Sequence, residues 1–380
     1  MEDFLNVLEF PTSIDKIDDY LYPTNKFLYK NIEDFISKNV IENNLIISLS
    51  GGVDSSVLIV LLKELKLKYD INIIAVHINY NNRKETKTEE NFLRFWCKKN
   101  NFKFELLEIN DLKRGDDKRE FYEKYIRNKR YDFYKKIISK YNSSGIFLGH
   151  HLNDLQENIM CNILKGRNIF DLMVMKPKSI VKDVVIYRPF LNNYKKEIYD
   201  YAHQYNIPYF KDTTPEWSNR GKLRNKLFPL MKEIYGSQCL DNLLKIGRSS
   251  NEWKHIIDSK IINQFTYNNI QLFKKGVIIN YNGYIDYPFN FWNNIFLELC
   301  HTNLEISMIP KNCLINLVDK LNSVEIIEII MKIDWIVYLY NNKIIILYKK
   351  YITSSKSKIC KNIKMISHNG EDINNIFNRL

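Results

Sequence analysis

The sequence predicts an α/β protein: a doubly wound, mostly parallel sheet, followed towards the C-terminus by a smaller α+β domain. Three observations predict it. Short apolar runs alternate with amphipathic helical stretches between residues 45 and 157. The first apolar run ends in a Ser-Gly-Gly turn that opens directly into a helix. After about Gly236 the alternation gives way to longer helical stretches and a hairpin pattern.

The first 44 residues read as a polar lead-in ending in a helix from Lys26 to Lys38, with Phe27, Ile32, Phe35 and Ile36 at helical spacing. Leu45-Ile46-Ile47-Ser48-Leu49 is a buried strand meeting the turn Ser50-Gly51-Gly52. From Val53 onward, Val57, Leu58, Leu61, Leu62 and Leu65 follow helical spacing. Ile71 to Ile78 is a second strand, Lys87 to Lys99 a helix, and Phe104 to Ile109 a third strand. Residues 116–141 form a long charged helix carrying Phe121, Tyr125, Tyr131 and Tyr134. Gly145 to Gly149 is the fourth strand, and a further helix starts near Leu152. Helical segments at 239–262 and 289–321 flank a strand from Gly276 to Tyr281. Asp334 to Lys349 alternates through Ile336, Tyr338 and Tyr340, turns at Asn341-Asn342 and returns through Ile344 to Ile346, as a hairpin does. The expected divisions are therefore a lead-in (1–44), a parallel-sheet domain (45–236) and an α+β domain (237–380).

Composition narrows the class. The chain has 380 residues, 45% hydrophobic and 26% charged, which excludes wholesale disorder and suits two domains. Lys plus Arg is 56 and Asp plus Glu 44, a formal net charge of +12. That excess favours a polyanionic partner such as nucleic acid. The six cysteines, at 97, 161, 239, 300, 313 and 360, form no CxxC pair, so a zinc knuckle, an iron–sulfur site or a redox dithiol is not indicated. No run approaches the roughly 18 apolar residues of a membrane span, and the acidic, arginine-free start is unlike a transit peptide. The expected compartment is the cytoplasm, with no membrane partner.

Ligands of doubly wound sheets bind beyond the carboxyl ends of the strands. The loops Ser50 to Ser56 and Gly149 to Glu157 should therefore meet there. Glycines between a strand and a helix let the backbone approach an anion closely, and the helix start presents unbonded N–H groups and a positive dipole end. The hydroxyls of Ser50, Ser55 and Ser56 add donors. The pattern is not GxxxxGK[ST].

The seven residues Ser50-Gly51-Gly52-Val53-Asp54-Ser55-Ser56 resemble the PP-loop of the N-type ATP pyrophosphatases, whose fold is the adenine nucleotide alpha hydrolase-like sheet. Further segments resemble the tRNA(Ile)-lysidine synthase family, in family order over about residues 40–235. They are His77 to Arg83, Arg127 to Tyr131, Leu148 to Glu157, Lys165-Gly166, Arg188 to Leu191 with Glu197-Ile198, and Asp212 to Asn219 followed by Arg224-Asn225 and Pro229. Asn153 stands where that family has the first of two aspartates, Leu155 replaces a glutamine and Asn158 a threonine. Thr214 to Trp217 lengthens a loop.

The resemblance implies two steps. ATP adenylates the wobble cytidine of an isoleucine tRNA with loss of pyrophosphate, and the ε-amine of L-lysine then displaces AMP. It implies that Ser50 to Ser56 and His77 bind ATP, and that Asp54 holds Mg²⁺. Asp54, His150, Asp154 and Glu157 are the candidate catalytic residues. Asp154 and Glu157 share a helix face and would draw in the lysine ammonium and accept its proton, with Mg²⁺ binding as their rival role. His150 would contact phosphate or else donate to a backbone carbonyl. Arg83, Arg127, Arg130, Arg188 and Arg224 would contact nucleotide or tRNA phosphate, with a structural ion pair as the rival role for Arg188. The basic run Lys113, Arg114, Lys118, Arg119 reads as solvated surface or a loose tRNA contact. Trp217 would stack on a base or join a local cluster. The rivals for the whole chain are a tRNA thiolase of the same fold, disfavoured because Cys97 and Cys161 are not a pair, and a catalytically decayed tRNA-binding protein. A homodimer stays open.

Overall fold

The computed structural model describes residues 2–11, 27–40, 42–110, 119–212, 214, 216–302, 309–323, 326–332, 335–349, 359, 362 and 363. Residues 12–26 of the expected lead-in, the start of the charged helix at 116–118, the basic residues Lys113, Arg114 and Lys118, and Cys360 lie outside the described residues. The chain divides into two compact units, Met1–Asn251 and Glu252–Leu380.

In the first unit the elements run α1 (Glu2–Leu5), β1 (Leu8–Phe10), α2 (Phe27–Asn39), β2 (Asn44–Ser48), α3 (Val53–Leu65), β3 (Asn72–Asn79), α4 (Thr86–Lys99) and β4 (Lys103–Glu108). There follow α5 (Arg119–Tyr141), β5 (Ile146–Phe147), α6 (Leu152–Leu164), β6 (Lys178–Val181), β7 (Val184–Tyr187), α7 (Lys195–Gln204) and β8 (Tyr209–Phe210). The last are α8 (Asn219–Lys222), α9 (Phe228–Tyr235) and α10 (Cys239–Ile257), inside which the two units divide.

Six strands form one sheet in the order β4-β3-β2-β5-β7-β6. Every neighbouring pair is parallel except the β6–β7 hairpin. The sheet's central strands β2, β3 and β5 are buried on both faces, as the inner strands of a parallel sheet must be. Leu45, Ile47, Ala75 and Phe147 pack towards α3, whose Val57, Leu58, Leu61, Leu62 and Leu65 are fully buried. The alternate residues Ile46, Ile74, Val76 and Ile146 pack towards Ile126, Tyr134 and Ile137 of α5. Each such side chain contributes about 1.5–3 kcal/mol relative to exposure. This burial, rather than helix propensity, holds a β-branched run such as Val57 to Val60 in a helix.

The strand order reverses between β2 and β5: the chain leaves β2 for β3 on one side and returns to β5 on the other. The crevice at such a switch point is where doubly wound sheets bind ligands. The β6–β7 hairpin was not expected from the sequence. Its two-residue turn, Lys182-Asp183, has both φ values positive (50° and 62°) without a glycine or an asparagine to announce it.

In the second unit, α11 (Asn263–Asn269), β9 (Ile270–Phe273), β10 (Gly276–Asn280), α12 (Phe289–Thr302), α13 (Lys311–Val318), β11 (Ile327–Lys332), β12 (Trp335–Tyr340) and β13 (Lys343–Tyr348) follow in order. The five strands form an antiparallel sheet, β11-β12-β13-β10-β9. One face, with Val277, Ile279, Val337, Leu339, Ile344 and Ile346, packs on Trp292, Ile295, Leu299, Leu314 and Leu317. The expected hairpin is β12–β13, turning at Asn341-Asn342 with φ values of 47° and 57°. The helical stretch expected at 289–321 is two helices.

Candidate active site

At the end of β2 the Leu49 N–H still bonds the Val76 carbonyl (2.8 Å), and then the chain turns. Gly51 has φ +83°, and a Cβ there would lie 2.1 Å from the Phe210 ring, so conformation and space both require glycine. The serines close the loop on itself. Ser55 Oγ accepts from the N–H groups of Ser50 and Gly51 (3.2 Å each) and donates to the Gly52 carbonyl (3.0 Å). The Gly52 N–H in turn donates to Ser50 Oγ (3.3 Å). Gly52 is the N-cap of α3, in extended conformation and with no side-chain cap. The first N–H groups of α3 are thus left for an anion, with the helix dipole favouring one.

Asp54 sits in that uncapped first turn. Its Oδ1 is buried and has no hydrogen-bond partner. Burial pushes the carboxyl up to about 7, and the charge of Asp154 adds to the rise, while Lys195 and Arg224 oppose it. A buried oxygen without a partner is costly unless a ligand completes it.

The neighbouring helix end, α6 after β5, is built the opposite way. His151 is its N-cap and accepts from the Asp154 N–H through Nδ1 (3.4 Å), while Asp154 Oδ2 accepts from the His151 N–H (3.1 Å). The His151 proton is then on Nε2, which faces Asp154 Oδ2 at 3.4 Å and Asp54 Oδ1 at 3.7 Å. Burial lowers both His150 and His151 to about 4, so both are neutral at pH 7. Burial works to raise Asp154, but the adjacent histidines, the His151 N–H and Arg220 outweigh it and hold the carboxyl below its ordinary value. Gly149 lets the two ends meet: a Cβ there would lie 2.9 Å from both the backbone and the Cβ of Asp54.

Arg224 ties the site together. It bonds both oxygens of Glu157 and approaches Asp154 Oδ1 at 3.3 Å and Asp212 Oδ2 at 3.7 Å. It stands on a widened π-helical turn, Leu223–Leu227, between α8 and α9. Pro229 supplies a local reason, since it has no N–H for the preceding turn and its ring crowds the carbonyl there.

These residues line a cavity of about 620 Å³ with Ser50, Gly52, Val53, Asp54, Ser55, His77, Arg83, Arg130, His150, Asp154 and Arg224 among its walls. Of the other residues singled out in the sequence, Gly51, Ser56, Arg127, Glu157 and Arg188 are not among the lining residues. Ser56 is buried with its Oγ unpartnered. Arg127 stacks over Tyr131. Arg188 is buried and donates to the Lys176 carbonyl, Ser179 Oγ and His150 Nδ1. Arg83 pairs with Glu89 (3.0 Å), and Arg130 donates to the Tyr80 hydroxyl (2.6 Å). His77 donates through Nδ1 to the Leu49 carbonyl (2.9 Å), and burial lowers its pKa, leaving Nε2 as an acceptor. Trp217 is 54% exposed.

The profile of the PP-loop domain family matches residues 24–231. The chain belongs to the PP-loop domain family. Among curated relatives, a tRNA(Ile)-lysidine synthase of Mycoplasma mycoides subsp. mycoides is 32% identical over 235 residues, 62% of this chain and 57% of that one. Another, of Chlamydia pneumoniae, is 29% identical over 233 residues, 61% of this chain and 71% of that one. The match thus spans little more than half the length of the mycoplasmal protein. A solved U34-tRNA thiolase of Methanococcus maripaludis aligns with a TM-score of 0.49 and 17% identity, over 60% of this chain and 78% of that one.

Seen as a PP-loop domain, the site has a reason for several residues that sequence spacing did not single out. Lys195, Tyr199 and Arg220 line the cavity, beside Asp212, which the sequence marks as the start of the segment Asp212 to Asn219. Asn153, the departure from the family pattern, accepts the Lys195 N–H through Oδ1 (2.9 Å) and donates to Gln156 (3.1 Å), so it joins α6 to the start of α7. An aspartate would accept that N–H equally well. Among the described residues no group of three His, Cys, Asp or Glu side chains could hold a metal by itself. Asp54 and Asp154 nonetheless fit Mg²⁺, which takes one or two carboxylates and completes its shell with water and substrate phosphates. Cys97 is buried beside α3 with its thiol pushed up to about 12, and Cys161 packs in a separate cluster around α6, so the two form no dithiol. Among the described residues no helix is long and apolar enough to cross a membrane.

Proposed function

We propose that this PP-loop protein is an ATP-dependent tRNA-modifying ligase of the tRNA(Ile)-lysidine synthase type. The observation that carries the ATP chemistry is the buried, unpartnered Asp54 Oδ1 in an uncapped helix end beside Gly51-Gly52. An anion site that contains its own orphan carboxylate calls for a cation bridging it to phosphate. The names of the relatives and the net charge of +12 support tRNA as the acceptor. The proposed substrates are ATP, an isoleucine tRNA and L-lysine, and the proposed compartment is the cytoplasm.

The chain's own groups supply the rest. The uncapped N–H groups of α3 and Gly52 hold the pyrophosphate end of ATP. Mg²⁺ held by Asp54 and Asp154 would neutralise the charge that develops on the leaving phosphates. Transfer of AMP to the carbonyl oxygen of the cytidine converts a poor leaving group into a good one. Asp212, at the cavity wall and tied to Arg224, attracts the lysine ammonium, whose reference pKa is near 10.4. The ammonium gives a proton to Asp212, and the neutral amine displaces AMP, the new C–N bond forming as the C–O bond to AMP breaks. Glu157 acts on this site through Arg224, as a positioning residue. We further assign residues 237–380 to holding the tRNA body, and the exposed Arg127 to a phosphate contact.

The test is purified protein with ATP, Mg²⁺, labelled lysine and total tRNA, followed by nucleoside mass spectrometry and phosphate analysis. AMP, pyrophosphate and a lysine-bearing cytidine are expected. ADP as the main product overturns the pyrophosphatase reading. A tRNA product without lysine overturns the ligase reading.

A further inference from the structure

β1 and α1 lie before residues 24–231, the part of the chain matched by the PP-loop family, yet they are built into the phosphate loop's support. β1 pairs with β8 in antiparallel register, Leu8 opposite Phe210 and Phe10 opposite Tyr209. The Lys211 N–H donates to the Val7 carbonyl (3.1 Å), and Lys211 Nζ to the Asn6 carbonyl (3.2 Å). Successive backbone groups of a strand point to opposite edges. The N–H of Phe210, between two residues tied to the N-terminal segment, accordingly points the other way and donates to the Gly51 carbonyl (2.8 Å). The Phe210 ring covers the place where a Gly51 side chain would be. Behind that ring stands Phe92 of α4, edge-on with centroids 5.6 Å apart, and Phe4 of α1 packs edge-on against Phe92 at 5.4 Å.

We propose that the segment Glu2–Phe10 is a positioning element for the phosphate loop: through β1 and Phe4 it holds Phe210 against Gly51, fixing the loop before a triphosphate or pyrophosphate arrives. This inference rests on the proposed nucleotide reading of the loop. Ser50 and Ser55 bond only within the loop, so the loop is held against the rest of the fold by Gly149 on one side and Phe210 on the other. Fixing it in advance removes an ordering cost that the ligand would otherwise bear.

Phe4 and Leu8 are absent from the cavity wall, so substitutions there reach the ligand only through β8 and the loop. Phe4→Ala and, separately, Leu8→Ala are expected to raise the KM for ATP and the inhibition constant of pyrophosphate about 10-fold. The kcat at saturating ATP should stay within about twofold of wild type. A merely structural role would lower kcat with the loss of folded protein and leave KM unchanged, and that result overturns the inference. A second measurement needs no variant. In the wild-type chain, amide hydrogen exchange with and without pyrophosphate should slow together at residues 7–10 and 50–53. Slowing at 50–53 alone overturns the inference while leaving the function intact. No slowing with ATP or pyrophosphate, and no AMP formed by wild type, overturns the proposed function and this inference with it.

Discussion

Two helix ends meet at the switch point of the sheet, and they are constructed in opposite ways. The start of α3 has a glycine N-cap, no side-chain cap and a carboxylate with a partnerless oxygen pushed up to about 7. The start of α6 has a reciprocal capping box, and its carboxylate, Asp154, is held below its ordinary value by partners on several sides. Both ends follow a parallel strand, and Gly149 brings them within van der Waals contact. The difference shows which end is incomplete without a ligand and which is finished by the protein. The α3 end sacrifices stability for binding, and the α6 end supplies a rigid wall against which the bound group is placed.

The sharpest way to break this contrast is Asp54→Asn. Pyrophosphate release should fall about 1,000-fold or more, because the phosphates lose their bridge to the protein. The apoprotein should become more stable, and the sign follows from linkage. The native carboxyl is pushed up to about 7 from an ordinary value of 3.8, so between these pH values the native state keeps a proton that the unfolded chain has released. Wild-type stability therefore declines from about pH 4 to about pH 7 relative to the variant. Urea unfolding should show a gain of roughly 4 kcal/mol for Asp54→Asn at pH 8 and almost none at pH 4. Equal stabilities at both pH values would mean that Asp54 is solvated and that the two helix ends do not differ.

Next in size is Arg224→Met, which leaves Asp154, Glu157 and Asp212 without their shared cation. A loss of about 3 kcal/mol in folding stability is expected together with about 100-fold in turnover. Calorimetry and AMP formation would check both, and a stable variant would show that the α6 end does not depend on the arginine. Glu157→Gln should be milder, about 10-fold in turnover, with pyrophosphate release and lysine incorporation reduced together. Should lysine incorporation alone fall, Glu157 acts on the amine itself. The smallest effect belongs to His151→Asn. Asparagine caps a helix as well as histidine does here, so activity should change less than about threefold, whereas His151→Ala should cost about 1 kcal/mol of stability.

The parts of the molecule legible in the sequence are those where one physical signal dominates. β2, β3 and β5 read clearly because their apolar runs are buried on both faces, and the loop after β2 read clearly because glycine, hydroxyl and carboxylate occur together at a strand–helix junction. The β6–β7 hairpin hid behind Lys182-Asp183, and β1 and β8 are too short to carry a period. Spacing put Asp154 and Glu157 on one face of α6 but left open which of the two reaches the cavity, since that depends on Arg224, about 70 residues later in the chain. Lys195 gave no signal because one lysine among the 56 basic residues stands out only when a fold brings it beside Asp54. Sequence likewise left Arg188 between a phosphate contact and a structural ion pair, since its bonds to Lys176, Ser179 and His150 depend on the fold.

The cavity wall draws on residues from Ser48 to Arg224, and this span sets a schedule for synthesis. At about 5–20 residues per second, roughly 10–30 s separate the translation of the glycine loop from that of the arginine that completes its surroundings. Until β3 and then β5 emerge within that interval, the edges of β2 are open and ready to pair with any extended chain nearby. A newly made chain therefore passes through a stage that is prone to aggregate and has no nucleotide pocket to stabilise it. Added ATP should rescue the yield of completed chains, while chains stalled before residue 224 should gain nothing from it.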